Sequence, residues 1–286
     1  AGYDPAASAD ILGSLAAQTA LDARLTGHAR TTPGWALSHP DPAARVVRAR
    51  QRAAGLAAAG GARGGDAFLA ALDGMIFGDD PAQGVIEGRA FLYPPGRVAF
   101  AAPAGYGMNN GADAVTITPT AQGYAGQARF TGGKFDGDLE ALVGRALGAL
   151  TQEGKPLTVP TTATTVGGLE ARRAQVTANG SDGGRLDVTA IAIRTAPDTA
   201  YAFTVLQPEG RGLGDLAPLV SSFRRLSVAE AAAVRPRVIK VVTVARGDTV
   251  ARLAGRMAYD NLQAERFLVL NGLPAGTSAL APGRKV

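Results

Sequence analysis

The amino-acid sequence predicts an α+β multidomain protein, because the residue pattern changes twice along the chain. Residues 1–83 show helical periodicity, whereas residues 84–228 alternate between apolar and polar side chains. Residues 238–286 return to a short strand-helix-helix-strand order, and the alanine-rich residues 229–237 before them predict a helical linker. We therefore expect a helical segment, a sheet domain, a linker and a small βααβ module, with those boundaries.

Composition excludes several classes of protein. Hydrophobic residues make up 46% and charged residues 19%, which is typical of a folded globular chain. Lysine and arginine number 29 against 24 acidic residues, and the arginines are scattered along the chain, so we expect no nucleic-acid partner. The chain has no cysteine, which excludes disulfides, thiol catalysis and cysteine-ligated zinc. No G-x-S-x-G motif of a serine hydrolase occurs.

The chain contains no run of 18 apolar residues, so no transmembrane helix is predicted. Its first residues, "AGYDPAASAD", have neither an initiating methionine nor the pattern of a signal peptide. We therefore expect the chain to be part of a longer or processed protein.

Three helices are predicted in the helical segment, with starts indicated by Asp4-Pro5, Asp41-Pro42 and Asp66. Their apolar stripes are expected at Ile11, Leu12 and Leu15; at Val46, Ala49, Ala53 and Leu56; and at Leu69, Leu72 and Ile76. These stripes are thin and rich in alanine, so they would make a weak core by themselves. We expect another polypeptide segment to cover them.

The sheet domain is predicted from six alternating segments interrupted by two helices. The expected strands are "RVAFAAP", "AVTITP", "YAGQARF", "LEARRAQVTA", "RLDVTAIAIRT" and "AYAFTVLQ". The helices are expected at 136–150 and 215–226. This order predicts an antiparallel sheet with helices on one face, an α+β sandwich. In element order and closing helix it resembles PsbP and Mog1-type folds.

Residues 1–95 carry a further resemblance. The segments "AGYDP", "SHPDPAAR" and "DGMIFGDDPAQGVIEGRAF" are similar to the region after the catalytic motif in bacterial zinc metalloproteases of the HtpX and CAAX-protease type, particularly the periplasmic BepA-like branch. In those enzymes an HExxH helix and a later glutamate bind zinc. This chain has neither, so no catalytic residue carries over and we expect it to be inactive alone.

His39 has two interpretations. It precedes Pro40 and the Asp41-Pro42 helix start, which fits a simple turn before the helix. The protease resemblance implies instead that His39 is a zinc ligand in the intact enzyme, closing the open coordination position, with Arg45 as a supporting residue around the site.

The closing module resembles a LysM domain, a module that binds the N-acetylglucosamine chains of peptidoglycan. The similar segments are "VTVARGDTVARLA", "FLVLNGL" and "LAPGRKV". The resemblance implies a glycan groove between two loops, formed by Gly247, Asp248, Thr249, Asn271, Gly272 and Leu273. The alternative is that these residues only form turns and helix caps in a docking domain.

Together these resemblances imply the carboxy-terminal part of a periplasmic or cell-envelope zinc metalloendopeptidase that acts in envelope protein quality control. Its partners would be the amino-terminal catalytic half of the same protein, envelope protein substrates and peptidoglycan, with zinc bound mostly outside this chain. The alternative function is a non-catalytic envelope protein that binds peptidoglycan or a protein partner.

Overall fold

A computed structural model of the chain describes residues 3–26, 42–56, 61, 63–180 and 183–286. The fold is mixed α and β, with two antiparallel sheets. The chain forms two compact units. We call Ile76–Arg237 the sheet unit, and Ala1–Met75 together with Val238–Val286 the helical unit.

The helices and strands have the following bounds. The chain begins with α1 (Ala7–Thr26), α2 (Pro42–Gly55) and α3 (Gly65–Leu72). Six strands follow: β1 (Val85–Glu87), β2 (Ala90–Tyr93), β3 (Val98–Ala101), β4 (Tyr106–Asn110), β5 (Val115–Pro119) and β6 (Gln127–Lys134). Next come α4 (Leu139–Gly148), β7 (Thr162–Val166), β8 (Leu169–Asn179), β9 (Arg185–Ala196) and β10 (Thr199–Pro208). The chain ends with α5 (Ala217–Ser221), β11 (Arg224–Arg225), α6 (Val228–Ala233), α7 (Val250–Ala254) and α8 (Gln263–Leu270).

The sheet unit contains one sheet of four strands, in the order β1-β2-β3-β11, and one of seven strands, in the order β4-β5-β6-β10-β9-β8-β7. The centre of the larger sheet is the β8-β9-β10 meander, where apolar residues occupy both faces of β9 and β10. Strands that are apolar on both faces must be covered on both sides, because an exposed face would leave that surface in water.

The two faces of the seven-stranded sheet carry different layers. One face packs against the small sheet and α5 through an aromatic core that includes Phe100, Phe130, Phe203 and Phe223. The other face packs against α4 over small residues such as Ala190. The α+β sandwich therefore exists, but the expectation that helices occupy only one face is wrong. The reason is the second sheet, whose short strands pack on the face opposite α4.

The segment 215–226 also differs from its predicted single helix. It contains a 3-10 turn at Gly214–Leu216, then α5, then the two-residue strand β11, which pairs with β3. Pro218 lies in the first turn of α5, where a proline is tolerated because its missing N–H would have no helical partner. Phe223 and Leu226 are both 1% exposed, so the chain leaves the helix to bury these two side chains.

In the helical unit, α1 packs against α2 and against α8. Several large apolar side chains of these helices remain exposed. In α1 only Ala9 and Leu21 are buried, whereas Ile11 is 63% exposed and Leu15 is 56% exposed. Leu56 is 67% exposed and no residue of α3 is buried. The predicted stripes are therefore only partly covered: none of their residues is fully buried, and Ile11, Leu15, Leu56 and Ile76 are exposed.

The predicted start of α3 needs correction. Its N-cap residue is Gly64, with no side-chain cap hydrogen bond, and Asp66 lies inside the first turn. The Asp66 carboxylate instead pairs with Lys285 at 3.3 Å. At the first helix Asp4 does accept the Ala6 N–H at 2.9 Å, as an Asp-Pro helix start predicts.

The chain leaves the helical unit and returns to it at neighbouring points. Within the helical unit, the Gly74 N–H donates to the carbonyl of Ile239 at 2.8 Å, and the Ile239 N–H donates to Met75 at 2.8 Å. Within the sheet unit, the Phe77 N–H donates to Arg237 at 2.8 Å. The outgoing and returning segments are therefore paired by backbone hydrogen bonds.

The expected sheet domain, 84–228, lies within the sheet unit, which also includes residues 76–83 of the expected helical segment. The rest of that segment, 1–75, shares the helical unit with the closing module. None of the helices within the described ranges has the length and apolar character needed to cross a membrane.

Candidate functional site

The closing module contains the two helices that its sequence predicted, α7 and α8, but not the two predicted strands: an isolated antiparallel bridge between Thr243 and Lys285 stands in their place. Its two ends pair through hydrogen bonds between Val242 and Val286 in both directions, at 2.9 and 3.0 Å, and from the Val244 N–H to Arg284 at 2.8 Å. Helices α7 and α8 pack between these ends on a small core that includes Leu253 and Phe267. This framework fixes the start of α7 and the end of α8, where the expected glycan-binding loops lie.

The loop before α7 forms a tight turn and a helix cap. Gly247 has φ of 86°, a conformation that glycine adopts without steric cost. The Asp248 carboxylate accepts the Ala245 N–H at 2.8 Å, and the Thr249 hydroxyl accepts the Arg252 N–H at 3.2 Å. The side chains of Asp248 and Thr249 therefore bond to the module's own backbone, as the alternative reading of this motif predicted.

The loop after α8 is a Schellman motif. Gly272, with φ of 59°, donates its N–H to Val269 at 3.1 Å, and Leu273 donates to Leu268 at 2.8 Å. The Asn271 amide donates to the carbonyl of Phe267 at 3.0 Å. These bonds hold the loop in one conformation, so any ligand would meet a preformed surface.

The segment that follows the second loop connects to the first. Ala279 forms an antiparallel bridge with Thr249, and the Val250 N–H donates to Ser278 at 3.0 Å. Gly247, Thr249 and Gly272 are exposed, and the first loop leaves Gly247 with open space around it. The surface open to a ligand therefore consists of the backbone at Gly247 and Gly272 and the outer surface of Thr249.

Helix α1 lies next to the second loop. The Ser14 hydroxyl is 3.6 Å from the position that a Cβ would occupy on Gly272. Further along α1, Arg24 pairs with Glu265 of α8 at 3.1 Å. The pKa of Glu265 lies below its ordinary value, first because its own backbone N–H bonds to the carboxylate and then because of Arg24. Helix α1 therefore forms one wall beside the Asn271–Leu273 loop.

The expected zinc-site residue His39 lies outside the described residues, as does His28, so the role of His39 stays a prediction. Arg45 lies half-buried on α2, and its predicted relation to His39 also stays a prediction. Among residues 3–26, 42–56, 61, 63–180 and 183–286, no group of three or more His, Cys, Asp or Glu side chains could hold a metal ion.

The sequence did not predict that Ser14 and Arg24 of α1 contact the closing module. The LysM-like pattern identified the loops from glycine, aspartate and asparagine at turn and cap positions. The contact between α1 and α8 joins segments more than two hundred residues apart, 241 in the case of Arg24 and Glu265. Only the exposed, unexplained polar residues of α1 could have hinted at it.

No protein-family model matches this chain, and no curated protein is significantly similar to it. Among solved structures, a protein from Bacteroides thetaiotaomicron matches 51% of this chain and 51% of its own length, with 11% identity and a TM-score of 0.37. LpqN of Mycobacterium tuberculosis, described as involved in cell envelope biogenesis, matches over 46% of this chain and 83% of its own, with 11% identity and a TM-score of 0.32. This chain thus spans about half the length of the first of these proteins. Both likenesses are too weak to place the chain in a family or to assign it a function.

Proposed function

We propose that this chain is the carboxy-terminal, non-catalytic portion of a zinc metalloendopeptidase of the periplasm or cell envelope. Its helices would complete the protease domain against an amino-terminal catalytic half, which would carry the zinc. The sheet unit would help to select protein substrates in envelope quality control, and the LysM-like module would hold the enzyme at peptidoglycan.

The observation that carries this proposal is the uncovered apolar surface of the helical unit. Ile11, Leu15, Leu56 and Phe68 are between 56% and 67% exposed, and Val47 is 53% exposed. Ile11 and Leu15 lie one turn apart on the same face of α1, and large apolar side chains left exposed side by side are typical of a surface that another polypeptide covers. Covering one such side chain contributes roughly 1.5–3 kcal/mol, so the group could drive a stable association. The resemblance of residues 1–95 to the HtpX-type proteases supports the catalytic half as the partner in this proposal.

The quickest test is the coding sequence upstream of Ala1. An HExxH motif with a downstream glutamate helix is expected there, and an upstream sequence without it would contradict the proposal.

A binding experiment tests the same surface directly. The upstream segment and this chain would be co-expressed as separate polypeptides and their association measured by affinity capture. Replacing both Ile11 and Leu15 by Asp should weaken the association by at least about tenfold, because two charges would be buried against the partner. Val228→Asp is the matched control, since Val228 is 68% exposed on α6 of the sheet unit. Equal association of all three chains would refute the proposed role of this surface.

A second function is favoured by the closing module alone: a non-catalytic protein that binds peptidoglycan through its LysM-like loops. The supporting observation is the preformed pair of loops around Thr249 and Gly272 described above. Binding to purified peptidoglycan and to chitotetraose would test it. Ser14→Arg should reduce binding, because the new side chain would extend from α1 over Gly272 without altering the module.

Ala17→Arg is the control for this experiment, since Ala17 is an exposed residue of the same helix. Absence of saturable binding to either glycan would contradict the peptidoglycan assignment. It would leave the proposed protease association intact, because that association uses other residues.

A further inference from the structure

A small cleft lies between α4 and the open part of the seven-stranded sheet. It has a volume of about 140 Å³, and its polar lining comes from Arg129, Thr131, Arg145 and Thr204. Side chains of Leu142 and Ala146 form an apolar wall on the helix side. Sites for drug-sized ligands occupy roughly 300–1,000 Å³, so this cleft suits only the end group of a ligand.

The alternation of β6 explains why two polar residues face this cleft. Ala128 and Phe130 belong to the core between the two sheets, so Arg129 and Thr131 project from the opposite face. That face is the one on which α4 packs, mainly over β9 and also over β8 and β10. Thr204 of β10 is the direct cross-strand partner of Arg129. The cleft therefore lies at the edge of α4, where the helix stops covering the sheet and β6 begins.

Arg129 differs from the other half-buried arginines described in the sheet unit. Arg172 pairs with Glu140 at 3.0 Å. Arg173 donates to Gln175 at 2.9 Å, and Arg194 donates to the carbonyls of Phe135 and Gly137. Arg129 has no hydrogen-bond acceptor and no acidic partner among the described residues, although it is half-buried. An arginine that buries part of its side chain and has no acceptor of its own can bind an anion without first breaking an internal hydrogen bond.

Arg145 adds a second positive charge to the same cleft. Its guanidinium carbon lies 4.9 Å from the centroid of the Phe135 ring, which holds the side chain over the aromatic face. Arg145 also lies in the last turn of α4, where a cation complements the negative end of the helix. No acidic residue lines the cleft to neutralise the pair.

We propose that this cleft binds a carboxylate that carries a short aliphatic group. Arginine binds carboxylates through two parallel hydrogen bonds, the threonine hydroxyls can donate further bonds, and the apolar wall accommodates the aliphatic group. Two sources share this chemistry: a free short-chain carboxylic acid and the carboxy-terminal residue of a peptide that ends in an aliphatic side chain.

The test is a titration of the full chain followed by amide NMR shifts, with N-acetyl-leucine as the probe. Saturable shifts in β6 and α4 are expected at concentrations of about 1 mM, with N-acetyl-leucine amide producing none. Arg129→Gln should weaken binding by at least about tenfold, and Arg225→Gln, on an exposed arginine of β11, should not. Ala149→Phe, which fills the cleft from an exposed position, should also abolish binding and serves if Arg129→Gln fails to fold.

Two further probes separate the sources. Acetyl-Ala-Ala-Leu binding more tightly than isovalerate assigns the cleft to peptide carboxyl termini, and equal affinities assign it to free short-chain acids. Equal binding of N-acetyl-leucine and its amide would overturn the proposal. Equal affinity of inorganic phosphate for the same residues would also overturn it, because phosphate has no aliphatic group.

Discussion

At the scale of single residues, burial changes the chemistry of Tyr201. This side chain is 2% exposed, and burial raises the pKa of its hydroxyl to about 12 from 10.0, with a smaller effect from Tyr93. Below pH 10 the Tyr201 hydroxyl is protonated in both the folded and the unfolded chain, so its ionisation does not lower the free energy of unfolding. Between pH 10 and 12 only the unfolded chain loses this proton, which favours unfolding by about 1.4 kcal/mol per pH unit at most.

Tyr201→Phe should therefore reduce the alkaline loss of stability of the sheet unit. Urea unfolding at pH 9 and pH 11 would measure it, with Tyr124→Phe as the control at a 38% exposed tyrosine. The same decline in stability for Tyr201→Phe and wild type between these pH values would contradict the assignment to Tyr201.

Two adjacent glycines give a matched test of steric space. Gly167 and Gly168 both have positive φ, 56° and 75°. A Cβ on Gly167 would lie 2.3 Å from the carbonyl oxygen of Phe223, whereas a Cβ on Gly168 would meet nothing within 4 Å. Gly168→Ala should cost only the left-handed backbone penalty of about 1–2 kcal/mol. Gly167→Ala should cost at least about 1 kcal/mol more, because the backbone around Phe223 must move.

Thermal and urea unfolding of both glycine variants would check this difference. Equal destabilisation would mean that the contact between the β7-β8 turn and the Phe223 carbonyl does not constrain the fold.

At the scale of elements, α6 depends on its cap. The Ser227 hydroxyl accepts the Glu230 N–H at 3.1 Å, and the Glu230 carboxylate accepts the Ser227 N–H at 2.7 Å. The pKa of Glu230 lies below its ordinary value, and the largest cause is the hydrogen bond that its carboxylate accepts from the Ser227 N–H. No residue of α6 is buried, so packing adds little to the helix.

Ser227→Ala should therefore lower the free energy of opening α6 by about 1 kcal/mol, without unfolding the sheet unit. Hydrogen exchange of the α6 amides should accelerate while that of β9 stays unchanged. Ser221→Ala, at an exposed serine of α5, is the control. Unchanged exchange in α6 after Ser227→Ala would show that the helix is held by something other than its cap.

The elements that sequence could predict are those with strong local patterns. β8, β9 and β10 are each ten or more residues long and rich in apolar and β-branched side chains, and α4 has a clear apolar face, so their positions were predictable to within a few residues. Strands β1, β2, β4, β7 and β11 were not predicted, because they are short and are defined by their partners. β11 has two residues and exists only through its pairing with Val98 and Ala99.

The candidate glycan loops were predictable because glycine, aspartate and asparagine have local roles at turns and caps. The wall that α1 adds beside Gly272 was not predictable, since it depends on a contact between distant segments. The role proposed for Arg129 was not predictable either. Its alternation with Ala128 and Phe130 is visible in the sequence, but the lack of an acidic partner is seen only in the folded structure.

At the scale of the whole molecule, the proposal places the zinc in an amino-terminal catalytic half. It therefore predicts that this chain has no protease activity alone. The purified chain should bind zinc no more tightly than a surface histidine does and should not cleave casein, because a catalytic site needs three protein ligands. Metal analysis after dialysis and a casein assay with and without a chelator would measure both. Stoichiometric zinc together with chelator-sensitive cleavage would contradict the prediction.

The paired backbone segments at Gly74–Phe77 and Arg237–Ile239 bear on the order in which the molecule forms during synthesis. The sheet unit is one continuous stretch, whereas the helical unit needs both ends of the chain. We expect the sheet unit to fold while the closing module is still on the ribosome. Its formation then brings Met75 and Val238 together, so the helical unit no longer has to close a long loop by chance. A misfolded sheet unit should therefore delay the helical unit as well, although the two have separate cores.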